Sequence, residues 1–301
     1  MRIAITLVLG AALLCSCEKT APASPGTPLP AGASFTVSFG WVPSAGSREQ
    51  GEFRTTMKGE MAMTVNEKEN RFVVDEVFEF AFTEETLKVE GRAASECRRK
   101  FTTATRTKSG AKSTLGVQGK SESGKKGPDG VWTWTSEGGL PLSDTDYASL
   151  SEGLGGGYGV VVNEALGSGR AVKVGDSWHP DVDALSRLYG DPDNVIDAAT
   201  SRATCKLATA EKRGTAMYGT IDLDIDFSVV QSEGGVLNEP LHYVLHGVIS
   251  GCLDGSSPDV ALNATLSMKG KRTASVPVAS QPLGLDVDLE RTFDMRRTLA
   301  K

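Results

Sequence analysis

The residues of this 301-residue chain whose types invite chemistry are three histidines, five cysteines and one Gly-Asp-Ser triplet. Ser177, in Gly175-Asp176-Ser177-Trp178, could act as a nucleophile if a base came within hydrogen-bond reach. His179 is too close along the chain to swing round to it. His242 and His246 would share one face of a helix, but "LHYVLHGVI" alternates as a strand does. Four strand residues span about 13 Å at about 3.3 Å each, so the pair cannot grip one metal ion without a third element. Asp191, Asp193, Asn194 and Asp197 offer oxygen ligands without the twelve-residue order, central Gly and final Glu of a calcium loop. Asp222, Asp224 and Asp226 alternate with apolar residues and read as the solvated face of a strand, not as paired acids for glycoside chemistry. The sequence therefore predicts no catalytic residue, no metal site and no cofactor.

Hydrolases of the Gly-Asp-Ser type carry that triplet near the amino terminus of an α/β chain and activate the serine with a late Asp-x-x-His. Here the triplet stands at the midpoint, and the nearest late match, Glu239-Pro240-Leu241-His242, has Glu for Asp. A structural turn fits better. Gly175 supplies backbone freedom, Asp176 and Ser177 hydrogen-bond the turn, and Trp178 anchors it in the core. "GLGGGYG" at 153–159 lacks the Lys-Ser/Thr of a phosphate loop and reads as a helix exit.

The cysteines fall into two groups. Arg2 precedes an apolar stretch, Ile3 to Leu14, broken only by Thr6 and Gly10 and followed by Cys15-Ser16-Cys17. The stretch is shorter than the roughly 20 apolar residues a transmembrane helix needs and reads as a targeting segment. Leu14-Cys15-Ser16-Cys17 resembles the lipobox of bacterial lipoproteins, with leucine at −3, a small residue at −1 and cysteine at +1. Cys17 fits the +1 position; Cys15 does not. The resemblance implies that 1–16 is a signal peptide, that Cys17 carries the lipid, and that the protein resides in the cell envelope as a membrane-anchored lipoprotein. Glu18 at +2 leans toward the outer membrane or cell surface. Residues 17–34, rich in Pro, Ala, Ser, Gly and Thr, read as a disordered tether about 20–25 Å long if it behaves as a flexible coil. Cys97, Cys205 and Cys252 remain in an oxidising compartment, where one disulfide is expected. Cys205–Cys252 is the preferred pair because both lie in the same half of the chain; the alternative is three buried thiols.

The net charge of −6 argues against nucleic acid as a partner. Charge is uneven. Residues 97–126 hold nine Lys or Arg and one Glu, whereas 176–197 hold six Asp and one Arg.

Period-two alternation dominates the elements that must position these residues. "IDLDIDF" sets Ile221, Leu223, Ile225 and Phe227 on one face. "VALNATLSM" does so with Val260 to Met268, and "LDVDLERTF" with Leu285, Val287, Leu289 and Phe293. In the first half, Phe72, Val74, Phe78, Phe80 and Phe82 line up, and Trp132 stands with Trp134. Turns are expected at 67–70 and 211–214. The centre, about 140–195, carries helix signals instead. Ser143 and Asp146 approach a capping box ahead of Tyr147, Leu150 and Leu154, and Pro180 suits the first position of a helix with Val182, Leu185 and Leu188 or Tyr189 on its apolar stripe. The expected fold is mainly β: a single domain over 35–301 built from a large curved antiparallel sheet or half-barrel, with two short central helices covering its concave face.

"VKVGDSWHP", following a helix and preceding a β-rich half, resembles a family of uncharacterised bacterial secreted proteins and lipoproteins that share a Val-Gly-Asp-Ser/Thr-Trp turn, here Val174 to Trp178. The likeness extends to the order of elements over roughly 35–300 and brings no activity with it. The general shape also resembles curved-sheet lipoprotein carriers of the periplasm, in architecture alone. The expected function is non-enzymatic: a hydrophobic small molecule or lipid held in a groove lined by Phe72, Phe78, Phe80, Phe82, Trp132 and Trp134. The alternative is an envelope scaffold or interaction module with a filled core and no ligand.

Overall fold

The computed structural model describes residues 26–30, 32–65, 67–127, 132–136, 139–140, 142, 165–189, 195–232, 235–275 and 283–300. Its strands are β1 (Thr27–Pro28), β2 (Phe35–Thr36), β3 (Arg48–Val65), β4 (Lys68–Glu90), β5 (Ala93–Lys108), β6 (Ala111–Thr114), β7 (Ser121–Lys126) and β8 (Trp132–Ser136). The second half continues with β9 (Ala171–Val172), β10 (Ser177–Trp178), β11 (Val195–Arg213), β12 (Ala216–Ser232), β13 (Gly235–Cys252), β14 (Val260–Ser275) and β15 (Leu283–Leu299). Among the described residues a helix, α1, spans Val182–Tyr189, and Ala165 and Leu166 are helical as well.

Thirteen strands form one sheet in the order β1-β11-β12-β13-β14-β15-β3-β4-β5-β7-β8, with β10 on β11 and β6 on β5; β2 and β9 pair separately. All the ladders of the large sheet are antiparallel. The fold is thus two meanders, β3–β8 and β11–β15, fused where the last strand pairs with an early one. That seam runs from Gly284↔Thr64 to Leu299↔Glu49 without a shift in register. No turn links its two strands, so it rests on backbone pairing and shared side-chain faces alone.

The sheet is mainly β and antiparallel as expected, and it is not closed. It does curl. Trp132 on β8 and Ile249 on β13 line one cavity, although seven strand steps separate them. In a flat sheet that would be about 34 Å at about 4.8 Å per step. Glycines permit the bend: Gly59 and Gly270 sit mid-strand at φ 138° and 153°. A Cβ at Gly59 would collide with the carbonyl oxygen of Asp288.

Alternation decides which side chains face the concavity. Phe53, Phe78, Phe80, Phe82 and Phe101 from one wing join Leu207, Ile221, Leu223, Ile225 and Phe227 from the other in one buried cluster. What fills the space between the wings differs from the expected pair of helices. Val37 and Phe39 lie in a loop, Val172 and Trp178 in two-residue strands and Ala165 and Leu166 in a helical pair of residues, and α1 adds Ala184 and Leu185. Two covering helices are therefore not supported. The segment read as the first, at 143–155, lies outside the described residues. At α1 the Asp181 carboxylate accepts the Ala184 N–H at 3.1 Å, so Asp181, not Pro180, opens the helix as its N-cap. The loops of the cover are tied by hydrogen bonds, Ser38 N–H to Leu253 O at 2.7 Å and Val37 N–H to the Ser168 hydroxyl at 2.9 Å.

Two boundaries also shift. Thr27 and Pro28, expected in the free tether, pair with Lys212 and Glu211 at the sheet edge. The β3–β4 hairpin closes at Val65↔Lys68, earlier than the expected turn at 67–70, with Glu67 at φ 64°.

Candidate functional site

At one end of the concave face is a partly open cavity of about 90 Å³. Phe39, Trp41, Trp132, Leu166, Leu262 and Met295 give it an apolar wall, and Glu49, Glu84 and Arg297 give it a charged floor.

The floor belongs to a row of five charges on five adjacent strands, all in the buried phase of their alternation; the fifth, Glu122 on β7, stands opposite Arg99 and is fully buried. Glu49 on β3 stands directly opposite Glu84 on β4, and Glu84 stands opposite Arg99 on β5. Arg297 on β15 stands opposite Gly51 of β3. Arg99 donates from Nε to Glu84 Oε2 at 2.9 Å, and Arg297 donates from Nη2 to Glu84 Oε1 at 2.7 Å. Arg297 Nε lies 3.2 Å from Glu49 Oε2. That last contact is an ion pair without hydrogen-bond alignment, because Arg297 Nε has no hydrogen-bond partner. The Arg99 guanidinium lies 4.3 Å from the ring centre of Phe82 and 4.6 Å from that of Trp134. Gly51 makes room here, since any side chain on it would strike the Phe82 ring.

Two arginines stand among three carboxylates, and the contacts of Arg99 and Arg297 with Glu84 and of Arg297 with Glu49 are what let these charges stay buried. Burial pushes the Glu84 carboxyl up, but Arg99 and Arg297 outweigh it and hold it down at about 2. Glu49, with one partner, goes the other way: burial raises it more than Arg297 lowers it. Arg297 is raised by Glu84 and Glu49 despite its own burial.

Sequence reasoning missed this row, though a signal existed. Glu49 is in phase with Phe53, Glu84 with Phe80 and Phe82, Arg99 with Phe101, and Arg297 with Met295. A charge in the apolar phase of a strand requires a buried partner.

The expected groove is not assembled as one surface. Phe78, Phe80 and Phe82 are packed against Phe53 and Phe101 in the filled core. Phe72 shares their phase but is 46% exposed, because it lies beyond the cover. Trp132 and Trp134 stack at 5.8 Å in a separate cluster with Cys97, and of the six only Trp132 reaches the cavity.

Gly175 to Trp178 forms the structural turn. Gly175 has φ 94°, the Asp176 carboxylate accepts the Lys173 N–H at 3.0 Å, and buried Trp178 donates from Nε1 to Leu166 O at 3.1 Å. Ser177 is exposed, while His179 directs Nδ1 at Ala203 O, 3.1 Å away.

Cys205 and Cys252 do not form the expected bond; they and Cys97 are free, buried thiols. Register explains it. Cys205 stands opposite Leu223 of β12 and Cys252 opposite Tyr218 of the same strand. Five residues of β12 add about 16 Å of separation, beyond the roughly 7 Å Cα limit.

His242 and His246 are on the outer face, where Nδ1 of each meets Asp226 at 2.8 Å and Asp224 at 2.6 Å. The described residues contain no group of three side chains able to hold a metal ion. Asp197 accepts the Ala199 N–H and the Thr200 hydroxyl, and 191–194 lie outside the described residues, as does Cys17. The basic stretch on β5 to β7 is largely matched by acids: Arg106 and Lys108 meet Glu76, Lys112 meets Glu79, and Lys125 meets Glu96.

No family model matches the chain, and no curated protein matches it. Among solved structures it is similar to the outer membrane protein OprG from Pseudomonas aeruginosa, with 8% identity over 87% of this chain and 100% of that one and a TM-score of 0.18. At that score the likeness carries no argument.

Proposed function

We propose that this chain is a lipid-anchored protein of the cell envelope that binds a hydrophobic or lipid-like small molecule without covalent chemistry, in the cavity framed by Phe39, Trp41, Trp132 and Met295. The observation that carries the binding step is that cavity: an apolar, aromatic-walled space over a buried charged floor. The anchoring step rests on Leu14-Cys15-Ser16-Cys17. At about 90 Å³ the cavity is well under the roughly 300 Å³ of a site that swallows a whole ligand, so it takes one end of a molecule and leaves the rest outside.

A second reading has its own support. The broad concave face is filled by Phe80, Phe101, Leu207, Ile225 and their neighbours, which suits a scaffold or interaction module. Native mass spectrometry of protein purified from its own envelope separates the two. A co-purifying lipid supports the ligand reading, and a bare chain favours the scaffold. For the anchor, labelled palmitate should appear on wild type and on Cys15→Ala and vanish in Cys17→Ala. Label on Cys17→Ala would return the chain to plain secretion.

A further inference from the structure

Exposed apolar side chains gather at both ends of the long sheet. At the far end these are Phe72, Val73 and Val236. At the cavity end they are Val42 and Leu299. Val42 lies between Trp41 and Pro43, which line the cavity, and Leu299 stands opposite Glu49 of its floor. Apolar side chains left together on a surface mark a place that meets a partner. By composition alone, either end could rest on a bilayer.

The point at which the chain enters the sheet decides between them. Coming from Cys17, it first pairs at Thr27 and Pro28, with Lys212 and Glu211 beside the β11–β12 hairpin. Glu211 stands opposite Tyr218, and Tyr218 opposite Cys252 of the cavity wall. Pro28 is thus three strand steps from the cavity, about 14 Å along one row at about 4.8 Å per step. Ten residues separate Cys17 from Thr27. Ten residues span about 17 Å as a flexible coil and about 35 Å at full stretch. The far end lies beyond that reach. Val236 there stands opposite Gln231, and Gln231 opposite Val195, the first residue of β11. From Lys212 back to Val195 is about 54 Å at about 3.2 Å per residue. Standing on its far end, the molecule would hold Thr27 farther from the bilayer than a lipid on Cys17 allows.

We infer that the cavity end is a membrane-contacting surface, in which Trp41, Val42, Pro43 and Leu299 rest in the interfacial layer of the leaflet that holds the Cys17 lipid. This inference rests on the lipid-anchored reading above and adds which face of the protein meets the bilayer. Tryptophan suits that depth, with an apolar ring and a polar N–H. The anchor supplies the affinity and the patch supplies the orientation, so a few apolar side chains suffice. The cavity, sharing Trp41 and Pro43 with this surface, then draws a lipid-like molecule from the leaflet instead of from water. Phe72, Val73 and Val236 point away from the membrane.

The test places the acylated full chain in vesicles of phosphatidylethanolamine and phosphatidylglycerol. Val42→Cys, Leu299→Cys and Val73→Cys each offer one exposed thiol to an environment-sensitive fluorophore, while Cys97, Cys205 and Cys252 are buried. Nitroxide-bearing lipid should quench the labels at positions 42 and 299 by about half or more and leave the label at position 73 unchanged. If the chain floats with the vesicles but the label at 73 is quenched as strongly as the other two, the inference is overturned and the anchor stands. The same holds if the label at 42 or at 299 stays unquenched. A wild-type chain that does not float with the vesicles overturns the anchor and the inference together.

Discussion

The two ends of the concave face obey one sequence rule and reach different outcomes. At the covered end, Phe78, Phe80 and Phe82 of β4 are 4%, 3% and 6% exposed. At the far end the same strand, in the same phase, leaves Phe72 at 46%. Around it Met61, Met63 and Met268 are only half-buried, and a small separate cluster of Val229, Leu237 and Leu241 replaces the main core. Alternation assigns a side chain to a face; it does not supply the layer that must lie on that face. The layer here, Val37 to Phe39 and Ala165 to Leu185, reaches one end. The covered end also tolerates what an open one would not need: a row of buried charges.

The sharpest way to break the comparison is to remove a charge from that row. Arg99 is 1% exposed and carries Glu84 between two aromatic faces. Arg99→Ala should cost about 3–5 kcal/mol in urea unfolding, because it strands a buried carboxylate. A loss below about 1 kcal/mol would mean that water reaches the row. Glu49→Gln should cost less than Glu84→Gln, since Glu84 meets two arginines and Glu49 one.

Phe80→Ala should cost about 3–4 kcal/mol, as a large cavity opens in packed surroundings. Phe72→Ala, four turns of the pleat away, should cost less than about 1 kcal/mol. Equal losses would show that something covers the far end in solution.

Acid sharpens the same contrast. The folded-state Glu84 carboxyl is depressed from 4.5 to about 2, so its stabilising contribution is complete above about pH 4.5 and is lost as pH falls toward 2. Glu49 is raised and contributes with the opposite sign, losing stability as pH climbs through its range. The unfolding free energy should therefore fall between pH 4.5 and 2, and Glu84→Gln should flatten that slope. A slope unchanged in Glu84→Gln would assign it to other carboxylates.

The smallest signal is chemical. Burial, with the Glu84 charge for Cys97 and the Asp224 charge for Cys205, pushes both thiols up to about 12. Cys97, Cys205 and Cys252 should react with a disulfide reagent only on unfolding, all three at once. Rapid labelling of one in the native state would show local opening there.

What the amino-acid sequence determined by itself is what depends on neighbours along the chain. The period of two in "IDLDIDF" put Ile221, Leu223, Ile225 and Phe227 inside, each at 2% exposure or less. The Gly-Asp-Ser-Trp segment declared its turn through a glycine that can take φ 94° and a tryptophan that seeks the core. The tertiary structure alone decided everything that depends on which strand lies beside which. The β15–β3 seam, with no connecting turn, brings Arg297 to Glu49 and Glu84 across more than two hundred residues. The register of β11 and β13 on β12 separates Cys205 from Cys252. The extent of the cover decides that Phe80 is core and Phe72 is surface. Pairing partners, register and cover are properties of distant contacts, whose loop-closure cost and side-chain fit no local pattern encodes.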